Sequence, residues 1–160
     1  MSQAVYLTAA RAQQALQLAE PTILHMMQTV TNKKALHIVI LGLDGEVLHE
    51  ADLGPDVAND RERLAQCTDV ARGKARIHFR TGRPSLEIQA RRPHALIVGD
   101  TIWGGSASHE GLIVAASGVQ SSFDEAISAM VAAILWALCV EAQIAHLASP
   151  AKTPIYKAPA

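Results

Sequence analysis

The pattern of apolar and polar positions opens with a helical segment. Residues 7–30 are rich in Ala, Leu and Gln, and Thr8 suits the N-cap that precedes such a stretch. Pro21 has no N–H, and its ring clashes with the preceding helical turn. We therefore expect two helical pieces, at about 8–19 and 21–30.

The next apolar segment predicts β-structure, and a second helix follows it. Residues 36–43 are apolar and rich in β-branched side chains, which is typical of a buried strand. The Asp44-Gly45 pair favours a type I′ turn, so residues 36–52 are predicted to form a β-hairpin. Residues 60–81 have the pattern of a helix with a start and a stop signal. These signals are a cap at Asn59 or Asp60, then Gly82 and Pro84.

The second half of the chain contains short segments and ends in a long helix. The pattern predicts irregular chain at 85–94, a strand at 95–98, turns at 99–105, a strand at 111–119 and a helix to about residue 147. The capping-box sequence Ser122-Phe123-Asp124-Glu125 marks the start of that helix. Its centre is apolar all round, which indicates burial on more than one side. A helix between a sheet and a second subunit satisfies this, so we expect a homo-oligomer.

The order helix, hairpin, helix, strand, strand, helix predicts an α+β fold. Hairpin pairing favours an antiparallel sheet with helices packed on its faces. A chain of 160 residues fits one domain, which we place at residues 1–149. Residues 150–160 contain three prolines and are expected to form a flexible C-terminal tail.

Composition and charge narrow the class of protein. Apolar residues make up 49% of the chain and charged residues 18%, which excludes a disordered protein. The net charge of −1 argues against nucleic-acid and membrane-surface partners. The longest wholly apolar run, at 129–140, has 12 residues and is too short to cross a bilayer. The N-terminal residues lack the pattern of a secretory signal, so we expect a cytoplasmic protein.

Lys74 carries the sharpest chemical signal. At helical spacing, one stripe contains Leu64, Cys67, Ala71, Lys74 and His78. An ammonium group therefore falls on the face that should be buried, where it needs an anionic partner. That partner is either a ligand or an acid of the protein, such as Asp100 or Asp124. His78 is either a satisfied core histidine or a proton-transfer group.

Other residues are candidate ligand contacts. Gly104 and Gly105 favour either a small anion nest or an ordinary turn. Trp103 beside them could stack on a flat ligand or belong to the core. Arg76 belongs to an arginine stripe that faces solvent or a neighbouring subunit, or clamps a carboxylate. The carboxylate of Asp124 lies in the first turn of the last helix, where capping also explains it. No Cys or His spacing indicates a zinc site, so the sequence leaves any metal ligand unknown.

Five short motifs occur in one order along the chain. They are IVILGLDGEVL, DVARGKARIHFRTGRPS, the glycine pair at 104–105, GLIVAASGV and DEAISAM. In this combination, residues 7–147 resemble the GlcG/HbpS-like family, described as haem-binding or haem-degrading domains and found at the C-terminus of PduO-type proteins. The Lys-Ala-Arg sequence at 74–76 is the most recognisable piece.

The resemblance implies a profilin-like fold, with a five-stranded, mostly antiparallel sheet flanked by helices, assembled into oligomers. It also implies binding of haem or a corrinoid, or a role in small-molecule catabolism. Lys74, Gly104 and Gly105 match family positions near the ligand pocket, and Asp124 matches the acid that opens the last helix. Ser106 follows the glycine pair where the family has an apolar residue. Such a change near the pocket favours a different ligand.

Three functions are compatible with these residues. The first is binding of haem or a related anionic tetrapyrrole, with Lys74, the glycine pair and nearby arginines on the propionates and Trp103 over the macrocycle. Its axial ligand would be an oxygen donor or a histidine, for which His25, His78 and His109 are candidates.

The second function is a cofactor-free isomerase, hydratase or hydrolase that acts on a small carboxylate in a catabolic pathway. Lys74 would be its general base or substrate clamp, with its pKa lowered by burial. His78 or His109 would be the partner in proton transfer. The third function is a structural or regulatory oligomer without a ligand.

Overall fold

One antiparallel sheet forms the centre of the protein, in a computed structural model that describes residues 4–149 and 155–157. Its strands are β1 (Leu36–Leu41), β2 (Val47–Leu53), β3 (Ser106–His109) and β4 (Leu112–Ser117), in the order β2-β1-β4-β3. The helices are α1 (Ala9–Thr29), α2 (Arg61–Thr81), α3 (Ser85–Arg91) and α4 (Ser121–Ala148), with a short 3₁₀ turn at Pro93–Ala95. The predicted α+β class, with helices flanking an antiparallel sheet, is confirmed.

Both faces of the sheet are covered, which explains the unbroken apolar sequence of β1. Neighbouring residues of a strand point to opposite faces. Ile38 and Ile40 pack in a large core with α1 and α4. Val39 and Leu41 pack in a smaller core with α2. The sheet is therefore the middle of three layers.

The sheet has four strands within the described residues, not the expected five. The strand expected at 95–98 is absent, because the Ile97 N–H donates to the Asp100 carboxylate at 2.9 Å and Val98 is fully exposed. In its place β3 forms from residues that lack β-branched side chains. Hydrogen-bonded pairing with β4 makes β3 a strand. A profilin-like topology stays a prediction.

Two helices differ from the prediction. The expected break at Pro21 is wrong, because α1 is continuous through it. Pro21 lies on the exposed face, where water can bind the carbonyl left without a helical N–H, while Ala19 and Ile23 pack into the same core. The irregular chain expected at 85–94 contains α3 instead, whose Ile88 is buried. Packing therefore stabilises a helix with a weak sequence signal.

The hairpin is confirmed, but its turn is not of type I′. That turn needs positive φ at both central residues. Gly45 has a positive φ of 83°, but Asp44 does not. Glu110 is the one non-glycine residue with positive φ in the described chain. A longer loop closes the hairpin, with the Gly42 N–H donating to the Glu46 carbonyl at 2.8 Å.

The helix ends match the sequence signals in two cases and differ in one. The Thr8 hydroxyl accepts the Arg11 N–H at 3.3 Å, as expected of an N-cap. Gly82 ends α2 in the left-handed conformation, with φ 68°. The start of α4 is shifted, because Gln120 is its N-cap instead of Ser122.

The long helix α4 is only partly covered by the rest of the chain. In the described residues it alone is apolar enough to cross a membrane by length and composition, with a mean hydropathy of 1.9 over an 18-residue window, although a core helix passes the same test. Ile127, Val131 and Leu135 pack on the sheet, whereas Trp136 and Ile144 are exposed. That a second subunit covers this outer surface of α4 stays a prediction. Of the tail predicted at 150–160, all but residues 155–157 lie outside the described residues.

Candidate functional site

The centre of the site is a buried ion pair between α2 and α4. The Lys74 ammonium lies 2.9 Å from Asp124 Oδ2 and donates to the Ala116 carbonyl at 2.8 Å. Lys74 is 1% exposed and Asp124 is 3% exposed. The structure therefore confirms that Lys74 is buried, and it selects Asp124 over Asp100 as its partner.

Burial moves the two pKa values toward each other. Loss of water lowers the pKa of Lys74 and raises the pKa of Asp124. Their mutual attraction opposes both shifts, and the Val119 N–H also stabilises the carboxylate by donating to Asp124 Oδ1 at 3.1 Å. Burial therefore weakens the preference of both groups for their charged forms, and their mutual attraction strengthens it.

Gly105 is needed for close packing against this pair. Its φ is 134°, and an added Cβ would lie 2.5 Å from Asp124 Cβ and 2.9 Å from Lys74 Nζ. Its N–H donates to Ser85 Oγ at 3.1 Å, so that group is not available for an anion. Gly104 is similar, because its Cβ would lie 2.6 Å from Leu86 Cβ. The anion nest, one of the two interpretations of the glycine pair, therefore lacks the Gly105 N–H, and the pair provides room instead.

Ser128 of α4 connects the parts of the site. Its hydroxyl oxygen lies 2.9 Å from the Gly105 carbonyl oxygen and accepts the Ala116 N–H at 2.9 Å. It also lies 2.7 Å from the Asp124 carbonyl oxygen. The first turns of α4 are thereby fixed to both strands β3 and β4. Sequence analysis did not identify this residue.

A pocket of about 400 Å³ lies over the ion pair, which is in the usual range for small-molecule sites. Its charged lining residues are Lys33, Arg63, Lys74 and Asp124. Trp103 is 57% exposed at its edge. The lining thus has three cations and one carboxylate, and Asp60 pairs with Arg63 from outside it, so the remaining positive charge favours an anionic ligand.

Arg63 shapes the wall of the pocket. Its guanidinium donates to the carbonyls of Ala35 at 2.7 Å and Gly118 at 3.1 Å, and pairs with Asp60 at 2.5 Å. Asp60 precedes α2 but makes no capping bond with its side chain. Burial raises the pKa of the neighbouring Cys67 thiol, which keeps it protonated.

The structure separates the remaining predicted site residues from the pocket. Arg76 is exposed on α2, as its stripe predicts, and does not line the pocket. The His109 ring packs edge-on against Trp136, with ring centroids 5.1 Å apart. His78 is buried between Ser106 and Ser108, and burial lowers its pKa to about 4. Lys74, Gly105, Asp124 and Trp103 are thus the predicted residues that the fold brings together.

Sequence analysis missed most of the pocket wall. Arg63, Cys67, Val70 and Lys74 have the spacing i, i+4, i+7, i+11, so they share one face of α2 and could have been grouped. Lys33 and residues 117–121 come from distant segments. No local pattern places them beside α2.

Comparisons with known proteins identify a shared fold. No family model matches the chain, and no curated protein matches it. The crystal structure of protein ORFY of Klebsiella pneumoniae, described as DUF336, has a TM-score of 0.61 and 18% identity, covering 86% of this chain and 95% of that chain. A double mutant of HbpS from Streptomyces reticuli has a TM-score of 0.57 and 20% identity, covering 84% of this chain and 90% of that chain. The chain has the fold of these two proteins, which confirms its resemblance to the GlcG/HbpS-like family at the level of fold.

Proposed function

We propose that the protein binds a small anionic ligand in the pocket over Lys74 and Asp124. The observation that carries this proposal is the charge of the lining: Asp124 pairs with Lys74 and Asp60 pairs with Arg63, so the excess of positive charge comes from Lys33. An ammonium group has three N–H donors. Two of those of Lys74 have partners, Asp124 and Ala116, which leaves one for an oxygen atom of a ligand.

An anionic tetrapyrrole such as haem is the first ligand class to test. Lys33 and Arg63 suit propionate groups, and Trp103 and Val70 suit an apolar ring. The described lining residues include no histidine, and the described chain contains no cluster of three or more metal-ligating side chains. The pocket therefore fits the carboxylates of a tetrapyrrole but supplies no imidazole to its iron, and our proposal gives the iron no role.

A cofactor-free enzyme acting on a small carboxylate is the second candidate. The observation that favours it is the lowered pKa of Lys74, which brings a buried amine closer to the range of a general base. Arg63 and Lys33 would bind the carboxylate of the substrate. His78 and His109 lie outside the pocket, so Asp124 replaces them as the proposed partner in proton transfer.

Quenching of tryptophan fluorescence tests ligand binding at this pocket. The chain has two tryptophans, and only Trp103 lies among the described lining residues. We would titrate haemin, protoporphyrin, succinate and inorganic phosphate into the protein and its Trp103→Phe and Trp136→Phe variants. We expect saturable quenching that survives in Trp136→Phe and is lost in Trp103→Phe. Because the pocket offers no imidazole, protoporphyrin should bind within about threefold of haemin.

A matched pair of lysine variants tests the role of charge. Lys33 and the adjacent Lys34 are both exposed, but only Lys33 lines the pocket. Lys33→Gln should weaken binding about three- to tenfold and Lys34→Gln should not, because only the first change removes a cation from the pocket. Equal effects of the two changes, or quenching that persists in Trp103→Phe, would reject this pocket as the binding site.

We also propose that the protein acts as a homo-oligomer in the cytoplasm. The exposed apolar residues of α4 and the common family arrangement support the assembly. Light scattering coupled to size exclusion should give a mass that is a multiple of 17.1 kDa. A single species with the mass of one chain, 17.1 kDa, would contradict the proposed assembly.

A further inference from the structure

A second buried polar cluster lies beneath the pocket, beside Gly105. It consists of Ser85, at the start of α3, Ser106 of β3 and His78 of α2, all at most 1% exposed. The His78 ring has Ser106 Oγ at 3.2 Å from Nδ1 and Ser108 Oγ at 3.1 Å from Nε2. The proposed function does not use these groups, so their arrangement needs its own explanation.

The number of bonds at each hydroxyl decides which group donates. Ser85 Oγ accepts the N–H groups of Gly105 and Ser106, both at 3.1 Å. These fill its two lone pairs. Either hydroxyl could donate the 2.9 Å contact between Ser85 and Ser106, but Ser85 has no lone pair left to accept it, so Ser85 donates. Ser106 Oγ also accepts the Ser85 N–H at 2.8 Å, so its own proton goes to His78 Nδ1.

The donation therefore runs in one direction, from the backbone of β3 to the imidazole. His78 Nδ1 accepts a hydrogen bond from the Ser106 hydroxyl, so Nδ1 itself carries no proton. The ring proton is on Nε2 and is donated to Ser108 Oγ at the exposed end. Burial, which lowers the pKa of His78 to about 4, acts in the same direction.

We infer that Ser85, Ser106 and neutral His78 form a one-way hydrogen-bond chain that positions Gly105 against the Lys74–Asp124 pair. Ser85 accepts the N–H of Gly105, and the Ser128 hydroxyl lies 2.9 Å from its carbonyl oxygen. Gly105 thereby stays where Lys74 and Asp124 need the space that a Cβ would fill. His78 is a positioning residue in this arrangement and not a catalytic one. The role of this hydrogen-bond chain in ligand binding rests on the proposed function, but the direction of its hydrogen bonds does not.

Nitrogen NMR of the full-length protein tests the direction of the chain without any ligand. In ¹⁵N-histidine-labelled protein, the His78 signal is the one that His78→Gln removes and Ser108→Ala shifts. At pH 7 we expect a neutral ring with the proton on Nε2 and a titration midpoint more than one unit below 6.5. A proton on Nδ1, or a cationic ring at pH 7, overturns the inference.

A matched pair of serine variants tests positioning. Ser85→Ala removes the acceptor of the Gly105 N–H, whereas Ser108→Ala changes only the exposed end of the chain. In Ser85→Ala, water reaches the pair, so the ¹⁵Nζ titration of Lys74 should move toward its ordinary pKa of 10.5. In Ser108→Ala it should not move. A Ser85→Ala protein that melts earlier with an unchanged Lys74 titration would show a merely structural role and refute positioning. If Ser85→Ala does not fold, Ser106→Ala serves, because it breaks the same chain one step later.

The two proposals can fail separately. If neither porphyrins nor small anions quench the tryptophan fluorescence of the wild-type protein, the proposed function fails. The His78 and Lys74 titrations still test the hydrogen-bond chain in that case. If the ligands bind but His78 carries its proton on Nδ1, the proposed hydrogen-bond chain is refuted and the binding function stands.

Discussion

Removing either partner of the buried ion pair should destabilise the protein with opposite dependence on pH. Lys74→Met leaves Asp124 buried without its cation, and Asp124→Asn leaves Lys74 buried without its anion. Breaking a buried pair by removing one partner typically costs about 3–5 kcal/mol, because an uncompensated charge remains. We expect a loss of this size for each single variant at the pH where the remaining group is charged.

The sign of the pH dependence follows from the pKa shifts. In Lys74→Met, burial raises the pKa of Asp124 above its ordinary value of 3.8, so the folded state prefers the protonated acid. Stability is then greatest at low pH and falls as pH rises toward the folded pKa. In Asp124→Asn, burial lowers the pKa of Lys74 below 10.5, so stability is greatest at high pH and falls as pH decreases toward the folded pKa. Within each window the slope approaches about 1.4 kcal/mol per pH unit.

Urea denaturation at several pH values between 5 and 10 measures both slopes. The double variant Lys74→Met/Asp124→Asn is the control, because it removes both charges. It should lose less stability than the sum of the single variants and show neither slope. The reasoning is refuted if both single variants lose less than about 1 kcal/mol throughout, or if their stabilities change with pH in the same direction.

Three further substitutions test the packing of the site and of α1. Gly105→Ala should destabilise by at least about 2 kcal/mol more than Gly99→Ala, since both have positive φ but only the first Cβ meets other atoms; thermal melting compares them, and equal losses would contradict the argument from close packing. Arg63→Met should cost about 1–3 kcal/mol by removing donors from two carbonyls, whereas exposed Arg76→Met should stay within about 0.5 kcal/mol. Urea unfolding measures both, and similar losses would show that Arg63 does not hold the wall. Pro21→Ala should stabilise by about 1–3 kcal/mol, because it restores an N–H to a continuous helix; a loss of stability in the same assay would show that the proline fits α1 without strain.

The folded core was largely readable from the sequence. The apolar run of β1 and the stripe of α2 report burial directly, because a strand covered on both faces and a helix covered on one have distinct periods. The helix ends at Thr8 and Gly82 were readable for a similar reason, since a cap depends on one or two neighbouring residues.

The strands at the edge of the sheet and the turns could not be predicted from the sequence in this way. The segment 95–98 has strand-like residues but no partner strand, whereas β3 has unsuitable residues and a good partner in β4. Pairing at a sheet edge depends on distant chain, so local preference fails in both directions. Pro21 shows the same effect, because packing on both sides of it outweighs the local cost.

For the site, the sequence by itself determined that Lys74 would fall on the buried face and would need an anionic partner, from the protein or from a ligand, because burial of an unpaired ammonium group is costly. Only the tertiary structure decided that the partner is Asp124, 50 positions away, and that Gly105 packs against both side chains and provides room for them. It also decided that Lys33 and Arg63 line one pocket and that the His78 ring lies between two serines. Burial is a local consequence of periodicity, whereas the identity of a partner depends on how distant segments pack, and that information is not present in any short stretch of the chain.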